Sequence, residues 1–257
     1  MTHEPKSASK SKIRLDQLLV DRALAESRSK AQALIMAGVV FSGDQAQRSA
    51  GAKVAADLPL MVKGPDHPWV SRGGLKLAHG LEYFGFEPSE RICLDLGAST
   101  GGFTDVLMSR GAAKVYAVDV GYGQLAHKLR TDPRVVVLER MNARHLSASH
   151  VPDPIGVLVC DASFIGLRTV LPAAMGLTAP GAWLIALIKP QFEVGKGRVG
   201  KKGVVRDPEL HKEVRETISS WIQEQPEWKV MGITPSPITG PEGNVEFLIG
   251  AVRSPTS

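Results

Sequence analysis

The sequence predicts an α/β protein, a Rossmann-like sheet of seven mostly parallel strands behind a small α+β N-terminal unit. Three observations carry this. From Trp69 onward, apolar runs of strand length alternate with helix-forming stretches, the pattern of a sheet covered by helices on both faces. The first run, Ile92–Leu96, breaks into a glycine-rich turn, Gly97-Ala98-Ser99-Thr100-Gly101-Gly102, that opens a helix at Phe103. The next run, Val115–Val118, ends on Asp119. A strand, a tight glycine turn and an acid at the tip of the following strand form a nucleoside-binding half-site.

The elements follow in order. Residues 1–12 are polar and basic, and are expected to be a disordered tail. Leu15, Leu18 and Leu19 have helical spacing, so a short helix should end near Arg22. A second helix, from about Ser27 or Arg28 to Ala37, puts Ala31, Leu34 and Ile35 on one face. Ser27 or Ser29 can cap its start and Gly38 its end. Val39–Phe41 is a candidate strand with a turn at Ser42–Asp44, and a weaker strand covers Leu58–Val62. This unit, residues 13–63, is followed by a linker at 64–70 containing Pro65 and Pro68, and by a large domain at 71–257.

In the large domain the predicted strands are Ile92–Leu96, Val115–Asp119, Val135–Glu139, Ile155–Cys160, Trp183–Ile188, Trp228–Thr234 and Asn244–Val252. The predicted helices are Leu75–Tyr83, Phe103–Arg110, Leu125–Arg130, Thr169–Leu177 and Glu209–Gln223. No helix separates the last two strands, which should therefore be antiparallel neighbours. Seven strands ending in such a pair are the arrangement of Rossmann-like S-adenosylmethionine methyltransferases.

Composition narrows the class. The 257 residues are 43% hydrophobic and 22% charged, ordinary for a globular protein, with a formal net charge of +5. The first seventy residues hold ten bases against seven acids, which permits a nucleic-acid partner. Cys93 and Cys160 lie in apolar runs and are expected in the core. The histidines lack metal-ligand spacing, so no metal site is expected. With neither a signal-peptide core nor eighteen consecutive apolar residues, a cytoplasmic protein without a membrane span is expected.

A dinucleotide pyrophosphate wants G-x-G-x-x-G, whereas this turn is Gly97-x-x-x-Gly101-Gly102 with Asp95 two residues before it. A carboxylate favours a cationic sulfonium and would repel pyrophosphate, so the turn fits S-adenosylmethionine better than NAD. Candidate cofactor contacts are Asp95, Gly97, Ala98, Ser99, Gly101, Gly102, Phe103, Asp119 and Asp161. Ligands of open parallel sheets sit beyond the strands' carboxyl ends. Two further strands end at Asp161-Ala162-Ser163-Phe164 and at Lys189-Pro190, so these groups should share one rim.

The segment Gly195–Gly203 matches most of a phosphate-binding loop, G-x-x-x-x-G-K-[ST]. Lys202 occupies the hydroxyl position, which rejects an NTPase. Lys196, Arg198, Lys201 and Lys202 remain as candidate RNA-phosphate contacts, the alternative being a solvated loop. Arg14, Arg28, Lys30 and Arg72 are further RNA candidates, set against plain solvated positions. Trp69 and Phe164 could stack on a base or the adenine, or simply pack.

Ala25–Val40 resembles a small RNA-binding domain found in a ribosomal protein, pseudouridine synthases and tyrosyl-tRNA synthetases. Val70–Leu77, the Asp95 turn, Asp119–Leu125, Asp161–Ile165, Ile188–Glu193, Gly203–Pro208 and Gly240–Phe247 resemble the TlyA family over nearly the whole chain. That resemblance implies an FtsJ-like methyltransferase domain, S-adenosylmethionine as cofactor, and a cytidine 2′-hydroxyl in ribosomal RNA as acceptor, within ribosomal subunits. It implies a Lys-Asp-Lys-Glu tetrad at Lys76, Asp161, Lys189 and Glu246. A monomer is expected. The resemblance also implies a linker that couples the domains at Pro68-Trp69-Val70, with His67 where the family has a basic residue.

A ribose hydroxyl must lose its proton as it attacks the activated methyl, and Lys189 is the candidate base. Lys76 and the sulfonium favour its neutral form, while Asp161 and Glu246 favour the ammonium. Lys189 could instead stay charged and polarise the hydroxyl. Two other classes stand beside this reading: a cytolysin, since family members carry hemolysin names, and an inactive RNA-binding assembly factor.

Overall fold

The computed structural model describes residues 12–36, 38–64, 67–195 and 197–255. The expected tail falls on residues outside this set, except Lys12, which begins a strand rather than ending a tail. The chain divides into two compact units, residues 1–68 and 69–257.

The first unit contains β1 (Lys12–Arg14), α1 (Leu15–Asp21), α2 (Arg28–Met36), β2 (Val40–Ser42), β3 (Gln45–Ala46), β4 (Lys53–Ala55) and β5 (Met61–Val62). The helices bury Leu15, Leu19, Ala31 and Ile35 together with Val40, the faces their apolar spacing predicts. Ser27 caps α2, accepting from the Lys30 backbone N–H at 3.2 Å. Two small sheets were not expected in this form: β1 pairs antiparallel with β4, and β2 lies between β3 and β5. These strands are two or three residues long, too short to show a period of two.

A buried carboxylate organises this unit. Asp16 accepts from Arg14 Nε and Nη2 at 3.0 and 2.8 Å, from Arg28 Nη2 at 3.2 Å and from Gln32 Nε2 at 2.9 Å. The bonded Arg14 guanidinium holds the Asp16 carboxyl well below the usual carboxylate range. Arg14 and Arg28 therefore have a structural partner, while roughly half of each side chain remains exposed.

The second unit contains α3 (Gly73–Phe84), β6 (Ile92–Leu96), α4 (Gly102–Ser109), β7 (Lys114–Val118), α5 (His127–Arg130), β8 (Val135–Leu138), β9 (Ile155–Cys160), α6 (Leu167–Met175), β10 (Thr178–Ile188), α7 (Pro190–Glu193), α8 (Pro208–Gln223), β11 (Trp228–Pro235) and β12 (Phe247–Arg253). One seven-stranded sheet runs β11-β12-β10-β9-β6-β7-β8, with β12 antiparallel to both neighbours and the inner pairs parallel. Alternate residues face opposite layers. Leu94, Leu158 and Leu184 pack with Leu171 of α6 and Ile218 of α8. Cys93, Val157 and Ile185 pack with Leu77 of α3 and Leu107 of α4. Both faces of the sheet are thus covered, as expected for a mainly parallel sheet.

Several boundaries differ from expectation: β10 starts five residues early, at Thr178, α5 two late and α3 two early, and three others have a visible cause. The large unit starts at Trp69 rather than at residue 71, because Trp69 lies against Gly74, where a Cβ would come within 2.0 Å of the indole, and the Val70 N–H donates to Asp105 at 2.8 Å. The last strand starts at Phe247 rather than Asn244. Asn244 is held away from the ladder: its side chain accepts from the Val205 N–H and donates to the Gly203 carbonyl, both at 3.1 Å. Helix α6 begins two residues early because Glu193, distant in sequence, accepts from the Leu167 N–H at 2.7 Å.

Asp16→Ala should destabilise the first unit by about 1–3 kcal/mol, since it removes charge-assisted bonds to two half-exposed arginines. Hydrogen exchange on the full chain would check this, with faster exchange confined to residues 12–62.

Candidate active site

The site lies where the parallel strands of the second unit end. Two cavities meet there, of about 410 and 370 Å³, and both are lined by Gly97, Ser99, Asp161 and Ser163. The ends of five strands, the first turns of three helices, and Ile238–Gly240 with Glu246 build the walls.

The glycine turn forms the common wall. Gly97 has φ +81°, and a Cβ on it would lie 2.8 Å from the Ala162 backbone, so the chain leaves β6 in a conformation that other side chains disfavour. Gly102 starts α4 against the start of α3, where a Cβ would meet Ser71 Oγ at 2.3 Å and the Gly74 nitrogen at 2.9 Å. This close crossing brings the helix that carries Lys76 to the turn. Gly101 does not line either cavity; it packs on Leu129 of α5. Ala98 and Phe103 line the larger cavity.

In the smaller cavity, Asp119 stands at the end of β7. Its Oδ2 accepts from the Ser99 N–H at 2.8 Å and its Oδ1 from the Gly121 N–H at 2.7 Å. Both oxygens keep capacity for a further donor such as a diol hydroxyl. Met141, Asn142 and Ala143 form another part of this wall. They follow β8, and reading that strand's end by the same rule as the others would have found them.

The larger cavity holds the four charged residues singled out in the sequence. Glu246 Oε2 lies 2.6 Å from Lys76 Nζ, which lies 3.6 Å from Asp161 Oδ2; Asp161 Oδ1 lies 2.6 Å from Lys189 Nζ. The charges therefore alternate along one line, Glu246–Lys76–Asp161–Lys189. Both lysines and Glu246 are buried. Lys189 Nζ also reaches the Asp161 carbonyl at 3.0 Å and Ser163 Oγ at 2.9 Å. Arg72, at the start of α3, is exposed on the rim.

Asp95 stands apart from the other cofactor candidates. It was expected to face the cofactor, yet it lines neither cavity and is fully buried. Its position inside β6 points it toward α4, where Thr104 Oγ1 donates to Oδ2 at 2.7 Å. Burial pushes this carboxyl up to about 7. The cysteines are core residues as expected, and burial raises both thiols, Cys160 to about 12.

Among the basic candidates, Lys30, Lys201 and Lys202 are exposed, and Arg198 pairs with Glu213 at 2.5 Å. Lys196 lies outside the described residues. Arg198, Lys201, Lys202 and Arg206 line a separate surface cavity of about 440 Å³. Phe164 is 91% exposed with φ +65°, and its ring lies 5.3 Å from that of Phe192, so it projects from the rim rather than packing in the core. Trp69 is a packing residue on α3. Among the described residues there is no cluster of three or more potential metal ligands, and no helix is long and apolar enough to cross a membrane.

A glycine turn beside an acidic strand end, opening toward a largely buried Lys-Asp-Lys-Glu line, can seat a nucleoside donor beside a hydroxyl acceptor. The family model for FtsJ-like methyltransferases matches residues 69–253. The chain belongs to this family. It is 48% identical to the 16S/23S rRNA (cytidine-2′-O)-methyltransferase TlyA of Mycobacterium tuberculosis, over 93% of this chain and 89% of that one. It is 40% identical to Hemolysin A of Brachyspira hyodysenteriae, over 92% and 98%. A solved structure from Streptococcus thermophilus, provisionally named a hemolysin, is 38% identical, with a TM-score of 0.73 over 96% of this chain and 91% of that one. The resemblance to TlyA proteins seen in the motifs thus extends along most of the chain, and the FtsJ-like match covers the unit that holds both cavities.

The Asp95 carboxyl has a pH consequence. Its folded value lies above the ordinary 3.8, so the folded state holds a proton that the unfolded state releases between about pH 4 and 7. Stability from this group is full below that window and is lost as pH rises through 7. Asp95→Asn should flatten the fall in melting temperature between pH 5 and 8; an unchanged slope would contradict the assignment.

Proposed function

We propose that this chain transfers a methyl group from S-adenosylmethionine to the ribose 2′-hydroxyl of a cytidine in ribosomal RNA. The observation that carries the reading is the unbroken line Glu246–Lys76–Asp161–Lys189 on the wall of the cavity that adjoins Asp119. The names of relatives such as the Mycobacterium tuberculosis enzyme support the acceptor.

The residues fit the cofactor. A Cβ at Gly97 would push the Ala162 backbone away from the shared wall, and Asp119 offers acceptors for a ribose diol. Gly97, Ala98, Ser99, Gly102 and Phe103 would hold the donor, with Asp161 at the junction of the cavities. When bound, S-adenosylmethionine supplies a methyl group already activated by a sulfonium.

The chain's own residues do the rest. Lys189 accepts the proton of the attacking hydroxyl. Asp161 holds Lys189 in place and separates it from the positive charge of Lys76. Glu246 neutralises Lys76, which keeps Asp161 aligned from the other side. Positioning and proton removal are the two contributions a displacement at an activated methyl requires.

The first unit acts as an RNA-docking module, with Arg14, Arg28 and Lys30 meeting phosphates. Asp16 presents two of these guanidiniums in fixed directions. Arg72, Lys201 and Lys202 extend the contact around the second unit's site. The substrate is ribosomal RNA in a subunit, met in the cytoplasm by a monomer.

Lys189→Ala should cut methyl transfer to ribosomal subunits by at least about a hundredfold while S-adenosylmethionine still binds by calorimetry. Retained transfer would sink the base assignment. Lys201→Gln with Lys202→Gln should weaken RNA binding and lower the slope of log affinity against log salt by about 1.5; an unchanged slope would remove the loop from the interface.

A further inference from the structure

We propose that Ser163 is a positioning residue for the proton transfer, a hydroxyl that holds Lys189 Nζ until the acceptor ribose replaces it. This rests on Lys189 being the base. Three oxygens crowd the Lys189 nitrogen: it donates to the Asp161 carbonyl at 3.0 Å and to Ser163 Oγ at 2.9 Å, and Asp161 Oδ1 lies 2.6 Å away as an ion pair rather than an aligned hydrogen bond. Two acceptors and a carboxylate charge suit an ammonium. A neutral amine has two N–H groups and one lone pair, and that lone pair must face the substrate hydroxyl.

To turn a lone pair toward the substrate in so crowded a shell one of the three oxygens must move, and they differ in freedom. The Asp161 carbonyl belongs to the main chain just past β9, where the Asp161 N–H is bonded to the Leu96 carbonyl at 3.0 Å. The Asp161 carboxylate is held between two lysines. Ser163 Oγ needs only a rotation about one bond. It also lies on the wall shared by both cavities, where donor and acceptor must meet.

In the step itself the 2′-O–H bond breaks and its proton forms an N–H bond on Lys189. The oxygen keeps the electron pair and forms the bond to methyl carbon. The C–S bond breaks with its pair going to sulfur, leaving a neutral thioether and a lysine ammonium. Ser163 then accepts from that ammonium again.

Asp161 touches Lys189, and Lys76 and Glu246 follow along the line. The neighbouring Cys160 thiol is neutral, pushed up to about 12, and the Asp95 carboxyl lies beyond it, close enough for Asp161 to influence it. Glu193, four residues on, is turned to the Leu167 N–H. Removing the Ser163 acceptor therefore weakens the ammonium form.

The test measures methyl transfer by the full chain at saturating S-adenosylmethionine from about pH 6 to 10. Ser163→Ala should move the acid limb of kcat about one unit lower and reduce the plateau about tenfold, with the cofactor KM unchanged. Ser163→Thr, which keeps the hydroxyl, should restore both. An unshifted limb in Ser163→Ala, a loss confined to the cofactor KM, or no rescue by threonine overturns the proposal. Lys189→Ala separates the two failures. If it is inactive and Ser163→Ala is unshifted, only the Ser163 role falls; if it stays active, the base assignment falls and the Ser163 role with it.

Discussion

The pairing of two buried lysines with two carboxylates is the constraint on which the second unit turns. Lys76 and Lys189 are 7% and 6% exposed, and Glu246 is 1% exposed. Charges so far from water are tolerated only when partnered, and deleting one member of a buried pair costs about 3–5 kcal/mol. The four residues come from α3, the end of β9, the end of β10 and the segment before β12, so the line closes only when all four are in place. Fold and site are thereby one arrangement: the charges need these elements to converge, and their convergence is stabilised by the charges.

The glycine turn provides the second half of this dependence. Because Gly97 and Gly102 carry no Cβ, the backbone after β6 can lie against Ala162 on one side and the start of α3 on the other. The first contact brings the turn to Asp161. The second brings it to the helix of Lys76. The two cavities share a wall for this reason, and Ser163 stands on it. The first unit uses the same device on a smaller scale, with buried Asp16 fixing arginines whose outer faces remain free.

Much of this was legible in the residues. The sheet strands Ile92–Leu96 and Ile155–Cys160 were found to the residue, since strands buried on both faces are continuous apolar runs. The helices that carry amphipathic stripes, such as Pro208–Gln223, were close to their predicted limits. What escaped had partners far away in the chain. The start of α6 is set by Glu193, the late start of β12 by Asn244 holding Gly203 and Val205, and the strands β1 and β4 by each other. No local pattern records such contacts.

The sequence by itself determined the alternation of strands and helices, the glycine turn, and Asp161 and Lys189 as groups at strand ends, because hydrophobic period and residue type are local properties; Lys76 and Glu246 were named by the resemblance to the TlyA family. Tertiary structure decided the order Glu246–Lys76–Asp161–Lys189, the withdrawal of Asp95 into the core, and the place of Ser163 beside Lys189. Those are matters of distance between segments up to 170 residues apart. Asp95 shows the reason most plainly: its place in the sequence suits a cationic ligand, but the alternation of side chains along β6 points it at Thr104 instead.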